Sequence, residues 1–174
     1  QVTRHWSPDI PRTMVDEHQL IQAVLNILTN AQQAILLRKD GGGHLVLRAN
    51  HLRDWRATRP RDRIKISISD DGPGILPEHL PRIFDPFFTT KGVGKGTGLG
   101  LSISYGIVQK HSGDLWAESL PGKGTTFHLE LPVLAPAQQA GPPAPVQAPA
   151  QQAGPPAPDQ APAQEAGPPA PNQG

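Results

Sequence analysis

TTKGVGKGTGLGL, residues 89–101, places glycine at every second position from 92 to 100. Such a segment forms neither helix nor strand cheaply, because glycine gives up more backbone freedom on ordering than any other residue. What it offers is access: a ligand can approach the main chain closely, and successive N–H groups form a nest for an anion. The favoured ligand is phosphate. From Leu99 onward, Leu99, Leu101, Ile103, Ile107 and Val108 recur at helical intervals, so the loop feeds a helix start whose free N–H groups add to the anion site. A flexible linker would share the glycine content, but not the amphipathic helix that follows at once. Two familiar phosphate motifs fail here. The Walker pattern needs Ser or Thr after Gly-Lys, whereas Lys95 precedes Gly96, and no G-x-G-x-x-G can be placed on these residues.

Upstream, Leu20, Val24, Leu28, Ala31 and Ile35 recur at three- and four-residue spacing, which predicts a helix. Asp16 with Gln19 resembles a capping box at its start, and glycines 41–43 after Arg38 and Lys39 mark its end. On the same helix Gln22, Asn26 and Asn30 lie four apart, stacking three amides beside the apolar stripe. Asparagine is a poor mid-helix residue, so two here call for a reason. Amide oxygens are hard, neutral ligands suited to Mg²⁺, which completes its shell with water and phosphate. A solvated outer face is the plainer alternative.

Residues 44–50 (HLVLRAN) and 63–69 (RIKISIS) alternate with the strand period and should pair as antiparallel neighbours. The second runs into Asp70-Asp71-Gly72-Pro73-Gly74-Ile75, a carboxylate at a strand end followed by a glycine turn. Such a carboxylate can bind metal, act as a base, or accept from an exocyclic amine such as that of adenine, and spacing alone does not choose. Residues 81–91 carry Phe84, Phe87 and Phe88, read as a hydrophobic clasp in preference to a platform for stacking bases. Residues 114–119 and 125–131 form a closing hairpin across LPGKG, and an edge strand is expected at 10–15.

Composition changes abruptly near Pro132, leaving residues 1–134 as one domain large enough for a single core. Residues 135–173 are three 13-residue units, beginning APAQQAGPPAPVQ, and hold twelve of the 21 prolines. Without an apolar face to bury, this tail is expected to be disordered and partly polyproline-like, with Pro-Pro-Ala-Pro clusters that an adaptor domain could dock. Asp159 and Glu165 are its only charges, so residues 1–134 carry +3, too mild a balance to suggest nucleic acid. Cysteine is absent, which excludes disulfide frameworks and cysteine nucleophiles. No apolar run approaches the ~20 residues of a membrane span, and the opening QVTRHWSPDIP has no signal-peptide pattern, so the sequence reads as an excised fragment without membrane contact.

Taken in order, these elements resemble the catalytic ATP-binding domain of sensor histidine kinases, within the superfamily of gyrase, the Hsp90 chaperones and MutL. The resemblance covers about residues 10–133. Asn26-Ile-Leu-Thr-Asn30-Ala looks like the N box, Asp70-x-Gly72-x-Gly74 the first glycine box and Phe84-Asp-Pro-Phe87-Phe88 the F box. Gly96-x-Gly98-x-Gly100 resembles the second glycine box and Gly122-x-Gly124-Thr125 the final glycine-threonine element. The segment PFFTTKGVGKGTGLGLS, residues 86–102, resembles the short lid over the nucleotide in the nitrogen-regulation and FixL-like branch.

That resemblance implies an α+β fold, a two-layer α/β sandwich whose mixed, mostly antiparallel sheet is covered on one face by helices. It implies ATP and Mg²⁺ as cofactors. Asp70 would accept from the adenine amine, with Thr125 in the same network. Asn30 would ligate Mg²⁺ assisted by Asn26, and Lys91 with the amides of Gly96, Gly98 and Gly100 would hold the β and γ phosphates. Gly72, Gly74, Ile75, Phe88, Thr90, Thr97, Leu99 and Leu101 complete the implied ATP contacts, and Asn26, Asn30 and Lys91 the catalytic set. In the hydrolytic relatives a glutamate activates water four residues before the metal-binding Asn; Asn26 holds that place here, and an amide is a very poor base. The implied recipient is a histidine on a dimerisation domain, and indirectly a response regulator. The implied location is the cytoplasm, with a parent protein free to be membrane-anchored. His5-Trp-Ser-Pro8 does not fit the phosphoacceptor pattern and the other six histidines are scattered, so transfer in trans is expected. A gyrase-type ATPase and a non-catalytic nucleotide-dependent interaction module are the alternatives.

Overall fold

Apolar alternation along four of its segments builds the sheet of this chain, for which a computed structural model describes residues 1–38, 42–54, 61–91 and 96–133, the side chains of Asp54 and Arg61 excepted. The lid glycines 92 and 94, Trp55, Gly41 and the repeats of the tail lie outside the described residues. The elements are β1 (Val2–Trp6), α1 (Glu17–Leu36), β2 (Leu45–Asp54), β3 (Arg61–Asp70), a single 3₁₀ turn (Leu80–Arg82), α2 (Gly100–Lys110), β4 (Asp114–Leu120) and β5 (Gly124–Pro132). The strands form one five-stranded sheet in the order β1-β2-β3-β5-β4. Of its four pairings, β1–β2 is parallel and the others antiparallel. Both expected hairpin pairings are present, β2 with β3 and β4 with β5.

Side chains alternate across a sheet, so each strand has one face for the helices. Phe127, Leu129 and Leu131 of β5 and Ile68 of β3 enter the core with Ile27 and Ala31 of α1 and Val108 of α2. The opposite face of the sheet is polar: Ser67 Oγ lies 2.9 Å from His128 Nδ1, and the imidazole stacks on Trp116 at 5.0 Å. Burial holds His128 below the ordinary histidine pKa, with Lys65 acting in the same sense. This is the two-layer α+β sandwich the resemblance implies.

Two sequence expectations are corrected. The edge strand is β1 at 2–6 and not the run at 10–15. Pro11 removes a ladder N–H from that run, whereas VTRHW is rich in β-branched and aromatic residues. Residues 10–15 instead follow the end of the sheet, with Thr13 Oγ1 donating to Pro132 O at 2.8 Å and Val15 packed on the core. The capping box is also only half formed. Asp16 accepts from the Gln19 N–H at 3.1 Å, but its own N–H donates to His111 Nε2 at 3.0 Å, and His111 Nδ1 lies 2.8 Å from Ile107 O. A histidine at the end of α2 therefore does what the Gln19 side chain does in a complete box, tying the two helices together. On α1 the buried line is Ala23, Ile27 and Ala31, with Leu20, Val24 and Leu28 flanking it.

No helix among the described residues is long and apolar enough to cross a membrane.

Candidate functional site

Continuing the inward line Ile64, Ile66, Ile68 by one more alternation brings Asp70 to the helix side of β3, at its last residue. Asp70 is 6% exposed. Its Oδ1 accepts the Gly72 N–H at 2.9 Å, while Oδ2 is buried with no hydrogen-bond partner among the described residues. Burial pushes this carboxyl above the usual carboxylate pKa, against the backbone amides of Gly72 and Thr125. Its neighbour behaves oppositely. For Asp71, burial is outweighed by the hydrogen bonds from His44 and the charge of Arg38, so its pKa falls. Asp71 Oδ1 accepts from the His44 N–H at 2.9 Å and Oδ2 lies 2.8 Å from Arg38 Nη1, which closes the turn after β3 onto the end of α1. One carboxylate is structural; the other is an unsatisfied acceptor.

Thr125 lies beside Asp70 across the β3–β5 ladder. Its Oγ1 is 3.0 Å from Ser119 Oγ, which also accepts the Ile75 N–H at 2.8 Å. Ser119 therefore joins the Asp70 turn to the β4–β5 hairpin. Gly74 has φ +75 and a Cβ there would meet Leu120 O at 2.3 Å, so only glycine allows the turn to lie on that hairpin.

On α1, Asn30 and Gln33 face the start of the lid. Lys91 Nζ donates to Asn30 Oδ1 at 2.8 Å and also to Gln33 Oε1. Burial lowers the Lys91 pKa from its ordinary value. Asn26 Nδ2 donates to Gly100 O at 3.0 Å and lies 3.3 Å from Ser104 Oγ, clamping α1 to the first turn of α2. Gly98, with φ +66, packs where a Cβ would stand 2.4 Å from the Phe87 carbonyl carbon, and its carbonyl accepts the Phe87 N–H at 3.0 Å. The lid thus returns to the phenylalanine segment before entering α2.

These groups surround one cavity of about 1020 Å³, at the upper end of the range for small-molecule sites. It is lined by Asp70, Gly74, Ile75 and Thr125 with Asn26, Asn30, Phe88, Thr90 and Lys91, and by Gly96, Thr97, Gly98, Gly100 and Leu101 at the lid. The structure thus brings fourteen of the sequence-predicted residues to one cavity. Gly72 and Leu99 do not line it: Gly72 abuts Ala34, and Leu99 caps α2. Gln33 lines the cavity and Gln22 does not, so the amide line runs Asn26, Asn30, Gln33 and not Gln22, Asn26, Asn30. Phe84 and Phe88 pack on the core as a clasp would, but Phe87 is 74% exposed with φ +66 and does not. Sequence reasoning missed Gln33, Ser119 and His79. The last lines the cavity and meets the Phe88 ring at 5.7 Å.

Among the described residues no cluster of three His, Cys, Asp or Glu could hold a metal. Among the described residues, the amide oxygens of Asn30 and Gln33 are donors suited to a cation, and they already converge on an ammonium. That donor set fits a hard cation shared with phosphate oxygens.

A buried acceptor at one end of a large cavity, and amides, a lysine and a glycine-hinged helix start at the other, define a nucleotide-binding α/β sandwich. The chain belongs to the histidine kinase-, DNA gyrase B- and HSP90-like ATPase family, whose model matches residues 15–135. Within that family it is a catalytic, ATP-binding domain of the histidine-kinase type. It is 38% identical over 131 residues to sporulation kinase E of Bacillus subtilis, a match covering 75% of this chain and 16% of that protein. It is 37% identical over 133 residues to the sensory histidine kinase/phosphatase NtrB of Vibrio alginolyticus, covering 76% of this chain and 37% of that one. The chain therefore spans between about a sixth and a little over a third of these relatives. Among solved structures, the catalytic domain of histidine kinase ThkA superposes with a TM-score of 0.60 at 30% identity, over 75% of this chain and 77% of that one. Full-length ShkA in complex with AMPPNP gives 0.61 at 29% identity, over 77% and 26%.

Proposed function

We propose that this chain binds ATP with Mg²⁺ and passes the γ-phosphoryl group to a histidine on a separate dimerisation domain, from which a response regulator is served. The observation that carries the reading is Asp70 Oδ2, a buried acceptor without a partner among the described residues, at the wall of the cavity. An exocyclic amine satisfies it, which places adenine against Asp70, Thr125, Gly74 and Ile75, with Gly72 holding the carboxylate in position. Phe88 and Leu101 flank the base, and Thr90, Thr97 and Leu99 belong to the lid. The phosphates then extend toward Lys91, Gly96, Gly98 and Gly100, and Asn30 takes the metal with Asn26 close by. The complex of ShkA with AMPPNP supports nucleotide binding as the function of such a domain.

Phosphoryl transfer asks little covalent chemistry of a protein: the work is alignment and charge neutralisation. An imidazole nitrogen of the acceptor forms the new P–N bond as the bond to the β-phosphate oxygen breaks, and ADP leaves with the electron pair. Lys91 and the lid amides hold the charge that moves onto the leaving oxygens. Asn30 would hold Mg²⁺ beside the phosphates, where the ion would supply further neutralising charge. Asn26 supplies no base, because its Nδ2 is committed to Gly100 and Ser104 and an amide does not take protons at neutral pH. Water is therefore left unactivated and transfer is favoured over hydrolysis. The work is placed in the cytoplasm, where ATP and response regulators are.

Mixed with a histidine-bearing dimerisation domain from one of the relatives and labelled ATP, the chain should yield acid-labile phosphohistidine. Acid-stable phosphate on Ser or Thr, or steady phosphate release from the chain alone, would replace this reading. Asn30→Ala should weaken nucleotide binding in Mg²⁺ by at least the roughly 10- to 100-fold that losing a mere supporting partner costs a metal site. Titration in chelator should show no comparable loss, and an equal loss in both would remove Asn30 from the metal.

A further inference from the structure

Gln33 is an exposed glutamine on α1, and neither its type nor its position marks it as functional. Its side-chain oxygen nevertheless accepts from Lys91, fifty-eight residues away, at the cavity wall. The same ammonium is held by Asn30 Oδ1 at 2.8 Å. The lysine is further confined from the lid side. Its N–H donates to Thr89 Oγ1 at 3.1 Å, and a Cβ on Gly96 would stand 3.3 Å from Lys91 Cδ and 3.0 Å from Thr89 Oγ1. Two amide oxygens, a hydroxyl turn and a glycine thus fix one lysine over the helix.

Asn30 Oδ1 cannot serve this ammonium and a divalent cation together, because two positive centres a few ångströms apart repel strongly in a partly desolvated site. We infer that Gln33 is a positioning residue for Lys91: with Asn30 it holds the ammonium on α1, and a divalent cation taking Asn30 Oδ1 releases the lysine toward the phosphates. Metal and lysine then reach the nucleotide by exchange at one amide oxygen. Gln33 sets how readily the exchange occurs, since it is the anchor that remains after Asn30 is taken. The inference rests on the assignment of Asn30 to the metal and of Lys91 to the phosphates.

The test is calorimetric titration of the full chain with AMPPNP across Mg²⁺ concentrations, for wild type, Gln33→Met, Lys91→Met and the double variant. Gln33→Met removes the anchoring oxygen at an exposed position and should lower the Mg²⁺ concentration for half-maximal binding by about tenfold, the lower end of the worth of a hydrogen bond to a charged group. In the Lys91→Met background the same change should have no effect, because no ammonium remains to be held. A rise in the Mg²⁺ requirement in Gln33→Met would make Gln33 a metal ligand and overturn the inference. So would no change, or an effect that persists in the double variant. Absence of Mg²⁺-dependent binding in the wild type would instead overturn the function proposed above.

Discussion

The substitution Asp70→Asn should cost this chain most of its affinity for ATP and at the same time raise its melting temperature in the absence of nucleotide. The two effects share one cause. Asp70 carries a charge into a buried place and satisfies only one oxygen there, through the Gly72 N–H at 2.9 Å. Asparagine can keep that bond through its own oxygen. Its amide nitrogen then faces the cavity, where a donor meets the donor of the adenine amine. A hydrogen bond to a charged group is worth ~1.5–3 kcal/mol, so Kd should rise roughly 10- to 150-fold.

The stability effect follows from the direction of the pKa. Burial raises the Asp70 carboxyl in the folded chain. The folded state therefore holds the proton more tightly than the unfolded one, and stability falls as pH climbs from the ordinary carboxylate value of about 3.9 through the raised value. Above that window the loss persists in full; below it, there is none. An uncharged amide escapes it, so Asp70→Asn should melt higher at neutral pH and converge with wild type in acid. ATP binding by the wild type should weaken as pH drops through the same raised value, because the protonated carboxyl is a poorer acceptor, and the variant should lack this dependence. Calorimetry and melting curves between pH 4 and 8 decide the matter. Unchanged affinity, or a lower melting temperature at neutral pH, would take Asp70 out of the adenine site.

Asp70 was legible because RIKISIS alternates without interruption and runs directly into it. Even-numbered residues of β3 face the helices, which selects Asp70 over Asp71 as the inward carboxylate. The glycines of the lid were legible for another reason: Gly98 sits at a positive φ against backbone, a demand that almost no other residue meets. What sequence could not show are contacts made across long separations by ordinary polar residues. Gln33 resembles any solvated helix glutamine until Lys91 arrives beside it, and His111 completes the N-cap at Asp16, ninety-five residues earlier. β1 was hidden because it lies at the sheet edge, where one face and one ladder are open and the burial pattern carries no alternation. Phe87 misled because three phenylalanines in five residues imply a core, whereas the backbone turns through φ +66 at that residue to receive Gly98.

Gly124→Ala should be among the most damaging single-atom-scale changes in the domain. Gly124 begins β5 with φ +103, and a Cβ there would stand 2.0 Å from the Asp70 carbonyl oxygen and 2.9 Å from Asp71 Cα. Both obstacles are backbone atoms of the neighbouring strand and its turn, so no side-chain rotation relieves them. The β3–β5 ladder would have to part at Asp70, and with it the Ser119 hydroxyl that donates to Gly124 O at 2.9 Å and braces Thr125. An unfavourable backbone conformation costs about 1–3 kcal/mol and overpacking about 1–3 kcal/mol more. Their sum is a large part of the ~5–15 kcal/mol that holds a domain folded. Gly122 is the matched control: its φ is +77, but a Cβ there meets nothing within 4 Å. Gly122→Ala should carry the backbone cost alone. Urea unfolding should therefore order the midpoints as wild type, Gly122→Ala, Gly124→Ala, with the second interval reporting the clash. The folded fraction of Gly124→Ala should also bind ATP more weakly than Gly122→Ala, because the atoms displaced belong to the Asp70 turn. Equal midpoints for the two variants would mean that β5 yields at its first residue without disturbing β3, and that the close approach of Gly124 to Asp70 does not hold the adenine end of the site together.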